Sequence, residues 1–223
     1  MRNKILQLIA TIAFLAAAAG PAGAGLAKIG EAVYDDGRSG EAAYSLIYDD
    51  ESNLVWLDYS HGSADWQVMA DWAQGLNEPG VLIYYMFDEY RNFQWTGNWR
   101  LPDARNADNS SPDQGYASGS EMGHLYYNSL GLGAGGASEN ELNAGLFDHL
   151  NADQYFSGTR ENETMAWAFN LGNGYQAAIW DMPLRVSAIA VREGTIEVPL
   201  PAGAGFLAGG LLIFIYPVRR RRK

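Results

Sequence analysis

Tyr44-Ser45-Leu46-Ile47-Tyr48-Asp49-Asp50-Glu51-Ser52-Asn53-Leu54-Val55-Trp56-Leu57-Asp58 is the stretch on which the fold class turns. An apolar run over residues 43–48, a polar break over 49–53 and a second apolar run over 54–57 predict two strands joined as a β-hairpin. Working outward, residues 63–77 place Trp66, Met69, Ala70, Ala73 and Leu76 on one helical face, with Ser63 as N-cap and Asp65 in the first turn. A hairpin beside an amphipathic helix predicts an α+β domain whose sheet is buried on one face.

Further along, residues 81–87 predict a strand, or an inserted hairpin reaching Phe93-Gln94-Trp95. Residues 104–119 are too rich in Asp, Asn, Ser and Gly for regular structure and read as a long loop. A second helix is expected over residues 120–130, with Met122, Leu125, Tyr126 and Leu130 near one face, ended by the glycines of 131–136. Short strands follow at 155–157, 166–171 and 175–180, the last two joined by Gly172-Asn173-Gly174. A final strand at 187–191 closes the sheet.

The two ends have a different character. Residues 1–24 run from a basic start (Arg2, Lys4) through an apolar segment to Ala22-Gly23-Ala24, the layout of a secretory signal peptide cleaved after Ala24. The alternative is a retained membrane helix. At the other end an apolar stretch over 202–218 precedes Arg219, Arg220, Arg221, Arg222 and Lys223. That stretch approaches the ~20 residues that cross a bilayer, although its glycines and Pro217 make it a poor permanent anchor. The basic cluster stays cytoplasmic by the positive-inside rule, which puts the preceding domain on the far side of the membrane.

Composition narrows the function classes. With 48% hydrophobic and 13% aromatic residues the chain packs a core and is not disordered. Of 15 Lys and Arg, seven sit at the two ends, and the remaining eight face 26 Asp and Glu. The middle of the chain thus carries about −18, which repels phosphate backbones and argues against a nucleic-acid partner. The absence of cysteine excludes disulfides, thiolate metal sites and a cysteine nucleophile. His61, His124 and His149 have neither metal-ligand spacing nor a triad neighbour in the sequence, so a binding protein is expected and not an enzyme.

Val198-Pro199-Leu200-Pro201-Ala202, followed by a short apolar helix and a basic terminus, resembles the VPLPA-CTERM sorting signal, a variant of the PEP-CTERM tails handled by exosortases. The resemblance implies processing near Val198, Pro199, Leu200 and Pro201. The partners it implies are signal peptidase and an exosortase-type enzyme, with the membrane engaged through the C-terminal segment. The expected location is the periplasmic side of the inner membrane before processing and the cell surface or extracellular matrix after it. A plain single-pass anchor is the alternative.

The middle resembles the Lcl C-terminal domain family in several blocks that occur in the family's order: residues 53–58, the Trp66 helix, Trp99-Arg100-Leu101-Pro102, residues 155–159, residues 166–169 and residues 186–192. This resemblance implies a C-type-lectin-like domain over residues 44–193, two helices packed on small antiparallel sheets with long loops. Residues 25–43 are then a lead-in, and 194–223 hold the sorting motif, transmembrane stretch and basic tail. Three departures are visible: residues 79–97 lengthen the link before Trp99, 104–119 lengthen the following loop, and Phe156-Ser157-Gly158 replaces Trp-Ser-Ser.

No cofactor is required by any of these patterns, but the acidic loop suggests calcium, because carboxylate oxygens are its usual ligands. Asp103, Asp108 and Asp113 are the candidate metal and ligand-binding residues, and Tyr116 in the same loop is placed to stack on a sugar ring. Glu78-Pro79 mimics part of a lectin sugar motif but lacks its asparagine and reads as a helix-ending turn. Arg100 is expected to pair a carboxylate or loop carbonyls, and Trp56, Trp99 and Trp167 to lie in the core. Two functions follow: an exported surface or matrix-associated module recognising polysaccharide or another envelope component, or a structural component of the exopolysaccharide matrix without a discrete pocket.

Overall fold

The computed structural model describes residues 25–37, 40–182 and 186–196. The signal segment with Ala22 and Ala24, and the sorting motif with its apolar stretch and basic tail, lie outside the described residues. Among the described residues no helix is long and apolar enough to cross a membrane.

Nine strands form one mixed sheet: β1 (Leu26–Asp35), β2 (Glu41–Asp49), β3 (Leu54–His61), β4 (Leu82–Met86), β5 (Phe93–Trp95), β6 (Gln154–Arg160), β7 (Met165–Asn170), β8 (Tyr175–Trp180) and β9 (Val186–Ile196). Their spatial order is β4-β1-β2-β3-β9-β6-β7-β8, with β5 paired to the far end of β9. Every pairing is antiparallel except β6 with β9. The last strand therefore lies between β3 and β6 and joins an N-terminal meander to the β6-β7-β8 meander.

This architecture corrects the expected two helices on small antiparallel sheets. Among the described residues helix is confined to α1 (Trp66–Gly75), α2 (Glu121–His124) and α3 (Glu139–Leu142), apart from a 3₁₀ turn at Asp88–Tyr90 and a π turn at Leu125–Ser129. The physical reason is that the sheet is covered on both faces, not one. Leu46, Tyr48, Val55, Leu57, Ala188 and Ala190 pack with α1 residues Met69 and Ala73 on one side. Ile47, Leu54, Trp56, Ile189 and Val191 pack with Met122, Leu125, Tyr126 and Phe147 on the other. Alternate side chains of β2, β3 and β9 thus enter opposite layers, and a strand buried on both faces reads as an unbroken apolar run.

The strand-bearing region starts at Leu26: β1 pairs with β2 along most of its length and with β4 on its other side. Helix α1 begins later than Ser63. Its N-cap is Asp65, which makes no side-chain cap bond, and the first helical N–H, that of Trp66, donates to the Asp181 carbonyl at 3.2 Å. A tertiary partner does what a local cap was expected to do. In the second helix Ser120 caps α2 by accepting from the Gly123 N–H at 3.1 Å. The chain then widens into the π turn, closed by Leu130 N–H to the Leu125 carbonyl at 2.8 Å. The tight turn before β8 uses Gly174 at φ 82°, where a Cβ would collide with the Tyr126 and Tyr127 rings.

Candidate functional site

The Trp99–Asp103 segment is fixed from all sides. Arg100 exchanges both backbone hydrogen bonds with Val191 of β9, at 3.0 and 2.9 Å. The Asn77 side chain, just beyond α1, accepts from Trp99 N–H at 2.8 Å and donates to its carbonyl at 2.9 Å, as a neighbouring strand would. Trp99 is 1% exposed, and its indole N–H donates to the Tyr84 hydroxyl at 2.7 Å. Gly158 of β6 approaches close enough for its N–H to donate to the Pro102 carbonyl at 2.7 Å, and a Cβ there would stand 3.3 Å from the Leu101 carbonyl oxygen.

Arg100 uses its whole guanidinium internally. Nε and Nη2 donate to Glu193, Nη1 and Nη2 donate to Glu121, and Nη1 also reaches the Leu101 carbonyl. Burial alone would lower its pKa, but the hydrogen bonds and charges of Glu121 and then Glu193 outweigh that and raise it, so the side chain stays charged. Glu121 also accepts from the Asp103 N–H at 2.6 Å, which ties α2 to the start of the long loop.

The loop over 104–119 is irregular but internally bonded. Asn106 donates to Ser110, Ser111 and Asp113, and Gln176 of β8 donates to the carbonyls of Ala104 and Asp113 at 3.2 and 3.0 Å. Gly115 and Gln176 exchange backbone bonds of 2.9 Å. The loop thereby becomes a short extra rung beside β8.

Two clefts meet on this scaffold. One, of about 550 Å³, lies between the β2–β3 turn (Glu51, Ser52), the loop (Arg105, Asn106) and α2 (Glu121, His124). The other, of about 580 Å³, lies between Trp66, Ala70 and Gln74 of α1, the adjoining Glu78, Asn98 and Trp99, and Thr159 of β6. Asp103 and Arg105 line both, so the two clefts adjoin at those residues and the grooved surface they make has them at its middle. Both volumes fall in the ~300–1,000 Å³ range of small-molecule sites.

No family model, curated protein or solved structure matches this chain. The functional reading therefore rests on the groove's own chemistry. Trp66, Ala70, Leu101 and Gly158 supply apolar surface, with the Arg160 guanidinium 4.6 Å from the Trp66 ring centroid. The side chains of Gln74, Glu78 and Asn98 line the groove without an intramolecular hydrogen-bond partner among the described residues. Apolar surface edged by planar amides and carboxylates suits a ligand with ring C–H faces and many hydroxyls.

Of the four candidate loop residues, Asp103 alone lines the groove. Its Oδ1 accepts from the Thr159 hydroxyl and from the Arg105 N–H at 2.9 Å. Asp108 turns back on its own loop, accepting from Ser110 N–H at 2.9 Å, and its pKa is lowered by the side-chain and backbone bonds from Ser110. Asp113 accepts from Asn106 at 3.1 Å. Tyr116 is exposed and stands edge-on to Tyr175, with ring centroids 5.1 Å apart.

Among the described residues no group of three or more His, Asp or Glu side chains is arranged to hold a metal ion. Asp103, Asp108 and Asp113 are thus not gathered into such a group. Millimolar calcium and magnesium are accordingly expected to shift the melting temperature equally, by charge screening alone. A calcium-specific rise abolished by Asp103→Ala or Asp108→Ala would restore the metal site.

Gln74, Asn98 and Glu51 were not singled out by the sequence, and His124 was weighed only as a metal ligand or catalytic base. Gln74 carried a signal, since Trp66, Ala70 and Gln74 recur every four residues and share one stripe of α1. His124 lies with Nε2 3.2 Å from Glu51 and 3.6 Å from Asp49, which is 1% exposed. A second histidine, His149, pairs through Nδ1 with the fully buried Asp58 at 3.0 Å. Among the described residues no hydroxyl is hydrogen-bonded to the Nε2 of either ring, so neither forms a nucleophile–base pair.

Proposed function

We propose that this chain is an exported surface or matrix-associated binding module that recognises polysaccharide through the groove centred on Asp103 and Arg105. The carrying observation is the combination, in one groove, of the Trp66 and Ala70 apolar surface with the unpartnered Gln74, Glu78 and Asn98 side chains. Binding and not catalysis is the proposed activity. Screening the full chain, kept in mild detergent, against an array of oligosaccharides tests this reading. Selective binding lost in Gln74→Ala/Asn98→Ala supports it. Uniform failure to bind leaves the structural matrix component as the better account.

Export and tail processing belong to the same proposal and are supported by the basic-apolar-small order of residues 1–24 and by the Val198 to Pro201 motif before a basic terminus. The mature protein is expected to begin after Ala24 and to lack the residues beyond about position 202. Intact-mass measurement on native material checks this. A species still ending at Lys223 would leave a simple membrane anchor in place of exosortase-type processing.

A further inference from the structure

A third cleft, of about 300 Å³, opens beside the Trp66 cleft, and Asn77, Glu78 and Asn98 line both. Tyr84 of β4 and Arg192 of β9 line the third as well. Of the three half-buried arginines among the described residues, Arg100 is paired with Glu121 and Glu193, and Arg160 with Asp181. Arg192 alone has no carboxylate partner there. Its position is fixed all the same: Nε donates to the Gly97 carbonyl at 2.7 Å, and the guanidinium carbon lies 4.4 Å from the centroid of the Trp95 ring. Those contacts leave the terminal edge, Nη1 and Nη2, with one long contact, from Nη1 to the Tyr84 hydroxyl at 3.5 Å. That hydroxyl already accepts from the Trp99 indole N–H at 2.7 Å. Indole and guanidinium groups only donate, so the Tyr84 proton itself has no acceptor among the described residues.

From this arrangement we infer that Arg192, with Tyr84 beside it, is the subsite for the carboxylate of an acidic sugar, so that the glycan taken by the groove carries uronic acid residues. The inference deepens the saccharide-binding reading and rests on it. Taking a guanidinium out of water without an anion is costly, and a planar carboxylate matches two N–H groups on one edge of an arginine. The Tyr84 O–H supplies a further donor to the same anion. Asn98, exposed and lining both clefts, stands where the sugar that carries the carboxylate continues into the Trp66 cleft. Glu78 lines the third cleft too but makes no ion pair with Arg192, so it is not the missing partner; its charge weakens the subsite without filling it. Arg105 plays a different part. It is exposed, bonds the neutral Asn109 side chain at 3.1 Å and stands 3.9 Å from Asp103, so it attracts any anion without orienting one.

The test is calorimetric titration of the full chain, in non-ionic detergent, with uronate oligosaccharides, their methyl esters, sulfated oligosaccharides of the same length, and citrate. The ester keeps the shape of the sugar and removes its charge. In the best-binding pair the free acid is expected to bind at least about tenfold more tightly than the ester, the value of a charge-assisted hydrogen bond. Arg192→Gln should close most of that gap while ester binding persists, which also shows the variant to be folded. Glu78→Gln, at an exposed position, should widen the gap, a gain that misfolding cannot mimic. Acid and ester binding alike, or a gap untouched by Arg192→Gln, would overturn the carboxylate subsite and leave saccharide binding standing. A sulfated oligosaccharide binding as tightly as the uronate would overturn the assignment to carboxylate, and citrate doing so would overturn the assignment to a sugar. No binding by any member of the panel would overturn both the subsite and the saccharide reading.

Discussion

Trp99→Ala is expected to destabilise the protein by about 3–5 kcal/mol, the range for truncating a fully buried aromatic side chain. Trp99 is 1% exposed and packs in the layer that contains Met69, Leu76, Tyr84 and Trp95. Its ring lies 5.8 Å from that of Trp95, and its N–H is the donor to Tyr84. Truncation removes the packing, leaves the Tyr84 hydroxyl without that donor and opens a void under the segment that orients Arg100. The drop in melting temperature should be roughly 6–20 °C for a chain of this length. Trp99→Phe separates the two contributions, since it keeps most of the packed volume and loses only the N–H bond, at a cost of about 0.5–1.5 kcal/mol beyond the volume change. Saccharide binding should fall further in Trp99→Ala than in Trp99→Phe at temperatures where both variants are folded. Denaturant unfolding of the full chain measures the stability term. A cost below about 1 kcal/mol for Trp99→Ala would mean that the site collapses around the missing ring and that Trp99 does not set the groove's floor.

Local periodicity marks several individual elements of the chain, though not the nine-stranded sheet they build. The hairpin of β2 and β3, the face of α1 with Met69 and Ala73 inward, and the β7-turn-β8 hairpin at Gly172-Asn173-Gly174 all follow from neighbours in sequence. What escaped was set by partners far away. The parallel pairing of β6 with β9, through Gln154 to Val186 and Tyr155 to Ser187, leaves no local trace. Nor does the placement of β1 between β2 and β4. The double-sided burial was encoded, because Leu46-Ile47-Tyr48 and Leu54-Val55-Trp56-Leu57 are unbroken apolar runs where a one-faced strand would alternate. Ser138-Glu139-Asn140-Glu141 likewise spelled out a capping box, and α3 has one: Ser138 and Glu141 bond reciprocally.

The candidate site was less legible for the same reason. Acidic residues crowded in the loop sequence drew attention to Asp108 and Asp113, but crowding along the chain is not convergence in space. Asn106 and Ser110 engage those exposed carboxylates in hydrogen bonds that hold the loop's own shape. Asp103 reaches the groove because Thr159 and Glu121, one from β6 and one from α2, fix its backbone and side chain.

Asp58→Ala should produce the other large effect, about 3–5 kcal/mol of lost stability, because a buried carboxylate that satisfies two backbone N–H groups is deleted. Asp58 sits on β3 at 0% exposure and receives three donors: Asp148 N–H at 3.0 Å, His149 N–H at 3.1 Å and His149 Nδ1 at 3.0 Å. Those donors belong to the segment that carries Phe147 and Leu150 onto the sheet, and both side chains are essentially buried. Releasing the segment therefore uncovers one face of β3 as well as stranding two backbone N–H groups, each worth about 1–3 kcal/mol when left unsatisfied. His149→Ala is the informative comparison. Its side chain is 48% exposed, so losing the imidazole removes one bond near solvent and should cost no more than about 1 kcal/mol. Asp58→Asn keeps the shape but turns an amide donor toward donors, and it should recover only part of the loss. Denaturant melts of the three variants, with hydrogen exchange at residues 146–150, give the measurement. If His149→Ala were as damaging as Asp58→Ala, the imidazole and not the backbone pair would be the staple, and the exposed Nε2 of His149 would deserve a search for a ligand of its own.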